Sequence, residues 1–150
     1  MSMLIALTLL GAQTAPQQAQ PQPARPQAIV PVAPPRLTFP IVWEAMAPLP
    51  YRTPPPISPA MSRWVAGELV RGKCPIPRAV NGRHSLRVDV AVMISPESTV
   101  RASIPRAIDC PTVEQYAAGM VSSFARNNLL ARAGDGSGWF RASVTFDWPA

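Results

Sequence analysis

Two cysteines and one histidine are the residues of this chain whose side chains most often act as nucleophiles, bases or metal ligands. Cys110 stands directly before a helical pattern, Cys74 lies in the extended stretch RGKCPIP, and His84 lies in the polar turn NGRHSL. A thiol at a helix N-terminus can be reactive. The sequence Cys110-Pro111, however, lacks the second cysteine of a redox pair. These three side chains are also fewer ligands than a zinc site needs. The pattern therefore predicts neither a catalytic thiol nor a bound metal.

The other candidates for catalysis are weaker. The eight acidic residues are dispersed along the chain, with no pair at a spacing typical of general acid and base catalysis. A hydrolase constellation would have to combine His84 and Asp89 with some serine. The stretch GDGSG at 134–138 has the glycines of a phosphate-binding loop but neither its lysine nor a following helix. We therefore expect a binding protein without a cofactor, and a small hydrolase or redox enzyme is the minor alternative.

The N-terminus carries an export pattern. Residues 1–12 contain the apolar run MLIALTLLGA, which ends at the polar QTAPQQAQ. An apolar core of about 7 to 15 residues is typical of a signal peptide and is too short to cross a bilayer. No lysine or arginine precedes it. We expect residues 1–12 to be a signal peptide, cleaved on export, and we expect no membrane-spanning helix.

Residues 13–61 read as a linker. Fourteen of the twenty prolines lie between Pro16 and Pro59, and proline neither donates a backbone hydrogen bond nor leaves its φ free. Such a segment favours an extended polyproline II conformation. An apolar stretch at 37–51, LTFPIVWEAMAPLPY, is more hydrophobic than a linker needs. It could dock on the folded domain or on a partner, and the sequence leaves both alternatives open.

The chain is basic, with 14 lysine and arginine residues against 8 acidic residues and a net charge of +6. The basic residues are scattered between glycines and prolines with little aromatic interleaving, which is not a nucleic-acid-binding pattern. A solvated basic surface explains most of this charge. It also leaves a modest attraction to anionic headgroups or acidic partners.

Residues 62–150 are the one segment long enough for a hydrophobic core. Two alternating stretches, 86–94 and 99–105, are separated by the turn residues SPES and predict a β-hairpin. A helix should follow Pro111, with Thr112 and Gln115 arranged as a capping box and with an apolar face spaced by three and four residues. A third alternating stretch, 139–148, predicts a final strand.

These elements predict a small two-layer α+β sandwich. Its order is β-β-α-β, with one main helix on a three-stranded antiparallel sheet in spatial order 2-1-3. The last strand then pairs with the first and lies at an edge. Upstream, SPAMSRWVAGELVRG could form a short helix with Trp64, Val65 and Leu69 turned inward.

An even cysteine count in an exported chain favours a disulfide. Joining Cys74 to Cys110 would enclose about 37 residues, which the loop-entropy relation values at roughly 3 to 4 kcal/mol. It would tie the start of the main helix to the segment that enters the sheet. A reactive thiol at Cys110 is the alternative.

The pattern from Leu86 to Trp148, with its proline-rich approach, resembles the C-terminal domain of TonB and related energy-transducer proteins. The matching features are an alternating-valine strand, a turn, a Cys-Pro step before the helix, paired alanines within it and a final edge strand. They fall on Val88, Val90, Val92, the turn 95–98, Cys110, Pro111, Ala117 and Ala118. The turn has Glu-Ser where the family commonly has Asp-Gly, and NNLLARAGDGSG replaces an aromatic followed by Pro-Ala.

This resemblance implies a periplasmic protein-binding domain whose last strand pairs with an extended segment of an outer-membrane transporter. Edge strands expose unpaired N–H and C=O groups that a partner strand can satisfy. The expected binding residues within 139–148 are Phe140, Arg141, Ala142, Ser143, Val144, Thr145 and Phe146. The alternative is an envelope structural protein that uses the fold for self-assembly, as a homodimer for example. The edge could also be shielded by the apolar stretch or by a second copy.

Overall fold

The computed structural model describes residues 36–130 and 138–150. Their order is α1 (Pro59–Arg71), β1 (Arg83–Ile94), β2 (Val100–Pro105), α2 (Pro111–Ala125) and β3 (Gly138–Pro149), preceded by one 3₁₀ turn at Trp43–Ala45. The fold is α+β, with the two helices on a three-stranded antiparallel sheet, as the sequence predicts. Within the described ranges no helix is both long and apolar enough to span a membrane. The expected signal peptide at 1–12 and the linker as far as residue 35 lie outside them.

β1 is the central strand because its valines face the helices and both of its edges are paired. The sheet order β2-β1-β3 confirms the predicted topology. The β1–β3 ladder is the longer one and runs from Arg83 opposite Pro149 to Ile94 opposite Gly138. The fully buried Val88, Val90 and Val92 pack beneath the helices with Phe146 of β3. The alternating pattern therefore places the core on one face of the sheet.

The hairpin between β1 and β2 contains a bulge that the sequence did not reveal. The register shifts between Met93 and Ile94, so Val100 lies opposite Ile94 and Ala102 lies opposite Met93. Val100 packs against the core, whereas the pairing puts Ala102 on the face away from the helices. A bulge inserts one residue and so interrupts a strict alternation of faces. The uniform alternation predicted for 99–105 is therefore wrong at this point.

α1 begins at Pro59, so the domain boundary expected at residue 62 falls inside a helix. Ser58 caps the helix, and its Oγ accepts a hydrogen bond from the N–H of Met61 at 3.2 Å. Val65 and Leu69 point inward as expected. Trp64 does not, because it lies 100° round the helix from Val65; it is 38% exposed and packs on Tyr116 of α2, with 4.2 Å between ring centroids.

α2 begins one residue before the expected capping box, and that box is wrong. Pro111 is the first helical residue, where its missing N–H costs nothing. The Oε1 atom of Glu114 accepts hydrogen bonds from the N–H groups of Ile108 at 2.8 Å and Cys110 at 3.1 Å. This carboxylate ties the approach to the helix, where a negative charge is also favoured by the helix dipole.

A disulfide joins Cys74, just after α1, to Cys110 at the start of α2, as the cysteine count predicts. The two Cα atoms are 5.4 Å apart, and Cys110 is buried in the core. Gly72 lies against the disulfide, since a Cβ at this position would be 2.9 Å from the Cys74 sulfur. The bond therefore fixes the end of one helix against the beginning of the other.

Candidate functional site

The free edge of β3 is partly occupied by the chain itself. The N–H of Arg141 donates to the carbonyl of Ala47, and the N–H of Leu49 donates to the carbonyl of Arg141, both at 2.8 Å. Pro48 stands between them in a parallel bridge, where its missing N–H is not needed. Because backbone groups alternate sides along a strand, the N–H and C=O groups of Ser143, Thr145 and Asp147 also face away from β1.

Residues 43–53, which we call the strap, cross this edge. Trp43 and Leu49 are buried, and Leu49 belongs to the main core. Arg52 bonds to the segment after α2, through its N–H to the carbonyl of Asn128 at 2.8 Å and its Nε to that of Leu129 at 2.7 Å. Of the two alternatives for the apolar stretch, the structure therefore shows docking on the domain. The strap is part of the folded unit, although the sequence assigned it to the linker.

The strap turns away from β3 at Pro50. The N–H of Tyr51 donates to the carbonyl of Leu49 at 2.9 Å, so the two groups that would continue the ladder towards Ser143 bond to each other instead. A turn of this size closes over one residue, here a proline with no N–H to offer. Tyr51 then carries its hydroxyl inward, where burial raises its pKa to about 12. That hydroxyl has no hydrogen-bond partner among the described residues.

Helix α1 covers the other end of the same edge of β3. The N–H of Asp147 donates to the Oγ of Ser62 in α1 at 3.2 Å. Between the strap and α1, in the part of the chain that the structure describes, no group bonds to the outward backbone groups of Ser143 and Thr145. We call Ser143–Thr145 the open edge.

The seven predicted binding residues divide between core and edge. Phe140, Ala142, Val144 and Phe146 are buried, and their backbone groups face β1, so they support the strand without lining its free side. Arg141 is already bonded to the strap. Ser143 and Thr145 are exposed, and no described residue bonds to their outward N–H and C=O groups. The accessible part of the predicted site is therefore shorter than the sequence suggested.

A buried carboxylate lies beside the open edge, on the face of the sheet away from the helices. Asp89 Oδ1 accepts hydrogen bonds from Ser143 Oγ at 2.6 Å and Arg87 Nε at 2.9 Å, and Oδ2 lies 3.5 Å from Arg106. Burial by itself would raise the pKa of Asp89. The hydrogen bonds from Ser143 and Arg87, with the positive charge of Arg87 and of Arg141, outweigh burial and hold this pKa below its ordinary value.

The same arginines tie the strap to the sheet. Arg141 donates from its Nη1 to the carbonyl of Trp43 at 3.0 Å, and the guanidinium of Arg106 lies 5.7 Å from the centre of the Trp43 ring. Arg106 is also 3.8 Å from Glu44. The Asp89 cluster thus orients the side chains that hold the first part of the strap.

Replacing Asp89 by Asn is expected to lower the free energy of unfolding by about 2 kcal/mol at pH 7, because charge-assisted hydrogen bonds are lost. A carboxyl whose pKa is lowered by folding stabilises the protein above its unfolded pKa of about 4 and loses that effect as pH falls through the folded value. The difference between the two proteins should therefore shrink as pH falls below about 4. Urea unfolding of both at pH 7 and at pH 2 measures this. Asp147→Asn, at an exposed site on the same face, is the control; an equal loss there would contradict the role of Asp89.

The remaining candidates for chemistry have structural surroundings. His84 lies in β1 and not in a solvated turn; its Nδ1 is 2.6 Å from the carbonyl of Pro77, and its ring stacks on Trp148 at 5.5 Å between centroids. Among residues 36–130 and 138–150, no three histidine, cysteine or acidic side chains are grouped as metal ligands. The loop at 134–137 lies outside the described residues.

Comparisons of the chain with protein-family models, with curated proteins and with solved structures give no match. The site must therefore be interpreted from its own geometry. Sequence reasoning left the docking of the strap as one of two alternatives and missed the Asp89 cluster. The apolar stretch with Trp43 and Leu49 was the signal for the first, and an acidic residue within an otherwise alternating strand was the signal for the second.

Proposed function

We propose that this chain is a protein-binding domain that accepts an extended segment of a partner by strand addition at the open edge, Ser143–Thr145. The observation that carries this proposal is the strap, since the edge of β3 already binds an extended segment at Arg141 through two backbone hydrogen bonds. Among the residues that the structure describes, none bonds to the next outward groups of the same strand, those of Ser143 and Thr145. A partner strand would satisfy them as the strap satisfies Arg141. Its role is recognition without turnover.

The position of the strap defines the form of the partner. The strap runs parallel to β3 and leaves it at Pro50, so a partner segment enters beside the point where the strap turns away. Asp147, whose N–H is held by Ser62, limits the other side. A segment of about three to five residues fits this length of strand. Such a short contact gives modest affinity unless side chains add to it.

We place this function in the periplasm. The export pattern at 1–12 and the Cys74–Cys110 disulfide support an oxidising compartment. The resemblance to TonB-type domains supports, as the partner, a periplasmic segment of an outer-membrane transporter, with a role in transport across that membrane.

Replacing Thr145 by Pro tests the edge directly. Its N–H faces away from β1, so proline removes a donor from the open edge without removing one from the β1–β3 ladder. We expect binding of an extended transporter segment to weaken about tenfold, equivalent to ~1.4 kcal/mol. Amide chemical shifts during a titration of the oxidised protein measure both the affinity and the place of binding. Thr145→Val keeps the N–H and the β-branched shape, and it should bind as the natural protein does.

Equal affinities for the proline and valine variants would refute strand addition at this edge. No amide shifts at 143–147 with any transporter segment would remove the transporter as partner. If the protein alone showed concentration-dependent dimerisation that Thr145→Pro abolishes, the edge would serve self-assembly, and the envelope structural alternative would replace our proposal.

A further inference from the structure

The opposite edge of the sheet borders a second concave surface. A groove of about 860 Å³ lies between β2, the turn before it and the C-terminal end of α2. Its lining includes small residues, among them Ala102, Ser103, Ser122 and Ala125. Ser122 Oγ donates to Ser103 Oγ at 3.1 Å, which joins the helix to the strand. Neither the strap's contact with β3 nor the open edge takes part in this groove.

Three arginines line the groove against one acidic residue. Arg52 donates from its Nε to the carbonyl of Leu129, and no described residue bonds to the two terminal nitrogens of its guanidinium. Arg126, at the end of α2, has no side-chain bond to any described residue. Arg101 pairs with Glu97 at 3.6 Å, and both side chains are more than half exposed, so water screens this pair strongly. The lining therefore carries a positive excess directed at the groove.

The backbone of β2 adds a donor at the same place. Arg106 donates its N–H to the carbonyl of Asp89 at 2.8 Å, which fixes the alternation of the β1–β2 ladder. By that alternation the N–H and C=O of Ser103 face away from β1, towards the groove. Pro105, two residues on, has no N–H, and the bulge before Ala102 interrupts the strand. A long added strand is therefore excluded here, whereas a single backbone contact is available.

We propose that this groove binds a short acidic peptide segment of a partner protein. Its carboxylates would pair with Arg52, Arg101 and Arg126, since guanidinium groups are well shaped for carboxylates. A carbonyl of the peptide would accept from the N–H of Ser103. A second copy of this chain is a poor occupant, because its net charge is +6. The groove and the open edge lie on opposite edges of the sheet, so one domain can hold two different segments.

A synthetic octapeptide of alternating glutamate and threonine, acetylated and amidated, is the probe. We expect it to shift the amide of Ser103 and the Nε–H signals of the three arginines in the oxidised full chain. It should bind at least tenfold more tightly at low salt than the same peptide with glutamine in place of glutamate. Replacing Arg126 by Glu should weaken binding at least tenfold. Arg63→Glu makes the same charge change at an exposed position of α1 outside the groove, and it should change affinity less than threefold.

Equal affinity for the glutamate and glutamine peptides would overturn the proposal, as would equal losses in Arg126→Glu and Arg63→Glu. If Arg126→Glu loses the fold, which its amide spectrum would show, Arg126→Ala gives the same comparison with an expected loss of about threefold. Inorganic phosphate and phosphatidylglycerol vesicles are titrated in parallel. Binding of either at the groove, without binding of the acidic peptide, would also overturn it. Shifts at Ser143 and Thr145 instead of Ser103 would assign the peptide to the open edge and leave the groove without this function.

Discussion

The variant with both Cys74 and Cys110 replaced by alanine is expected to unfold with a free energy about 4 kcal/mol lower than that of the natural protein. The two cysteines are 36 positions apart in the sequence, and in the loop-entropy relation the bond acts mainly by restricting the unfolded chain. Small domains have total stabilities of about 5 to 15 kcal/mol, so this is a large fraction. Urea unfolding followed by tryptophan fluorescence and by circular dichroism measures the change.

A reductant separates the effect of the bond from the effect of the substitutions. The natural protein in dithiothreitol should lose nearly as much stability as the alanine variant, and the variant itself should not respond. A loss below about 1 kcal/mol in both would show that the two helix ends stay together without the bond. The expected loss also means that the domain reaches its full stability only in an oxidising compartment.

Replacing Leu49 by Ala is expected to cost about 2 to 4 kcal/mol, because a buried leucine leaves a cavity in the core. The same change should loosen the strap, since Leu49 is its anchor between the bonds to Arg141 and those to Asn128. Hydrogen exchange of the Leu49 and Arg141 amides reports the loosening, and urea unfolding reports the stability. Val42→Ala, at a residue 62% exposed just before the strap, should change stability by less than about 0.5 kcal/mol.

In the Leu49→Ala variant we also expect the stability of the domain and its affinity for a partner segment to change in opposite directions. Once the strap is loosened, the outward groups of Arg141 join those of Ser143 and Thr145, and the open edge becomes one bonding position longer. A partner segment should therefore bind more tightly to this variant while the domain itself becomes less stable. Weaker binding in a folded Leu49→Ala variant would instead make the strap a part of the partner's site.

Much of the fold follows from the period of the apolar residues. The alternating Val88, Val90 and Val92 require a strand with one buried face, and the apolar spacing after Pro111 requires a helix. Once a helix lies on one side of the hairpin, the last strand must return beside β1, which gives the order of the sheet. These arguments need no knowledge of distant contacts, which is why they succeed.

The parts that failed depend on contacts between distant residues. Nothing local to Ala47 or Leu49 indicates that they pair with Arg141, because a proline-rich segment predicts an extended chain and not its partner. The bulge before Ala102 and the bonds of Glu114 at the start of α2 likewise depend on geometry that residue types alone do not fix. The sequence correctly predicts β3 as an edge strand, but residue types alone do not decide among the alternatives for what covers that edge.

The pairing of the last strand with the first has a consequence for when the domain can form. The ribosome synthesises α1, β1, β2 and α2 before β3. Until β3 is made, one edge of β1 and the strap both lack the strand with which they pair. The hydrogen bond between Arg141 and the carbonyl of Trp43 spans 98 residues, and the partner of Arg83 in the β1–β3 ladder is Pro149. Contacts of such long range close slowly and late. The nascent chain therefore cannot complete its sheet or bind the strap until residues up to Pro149 have been synthesised.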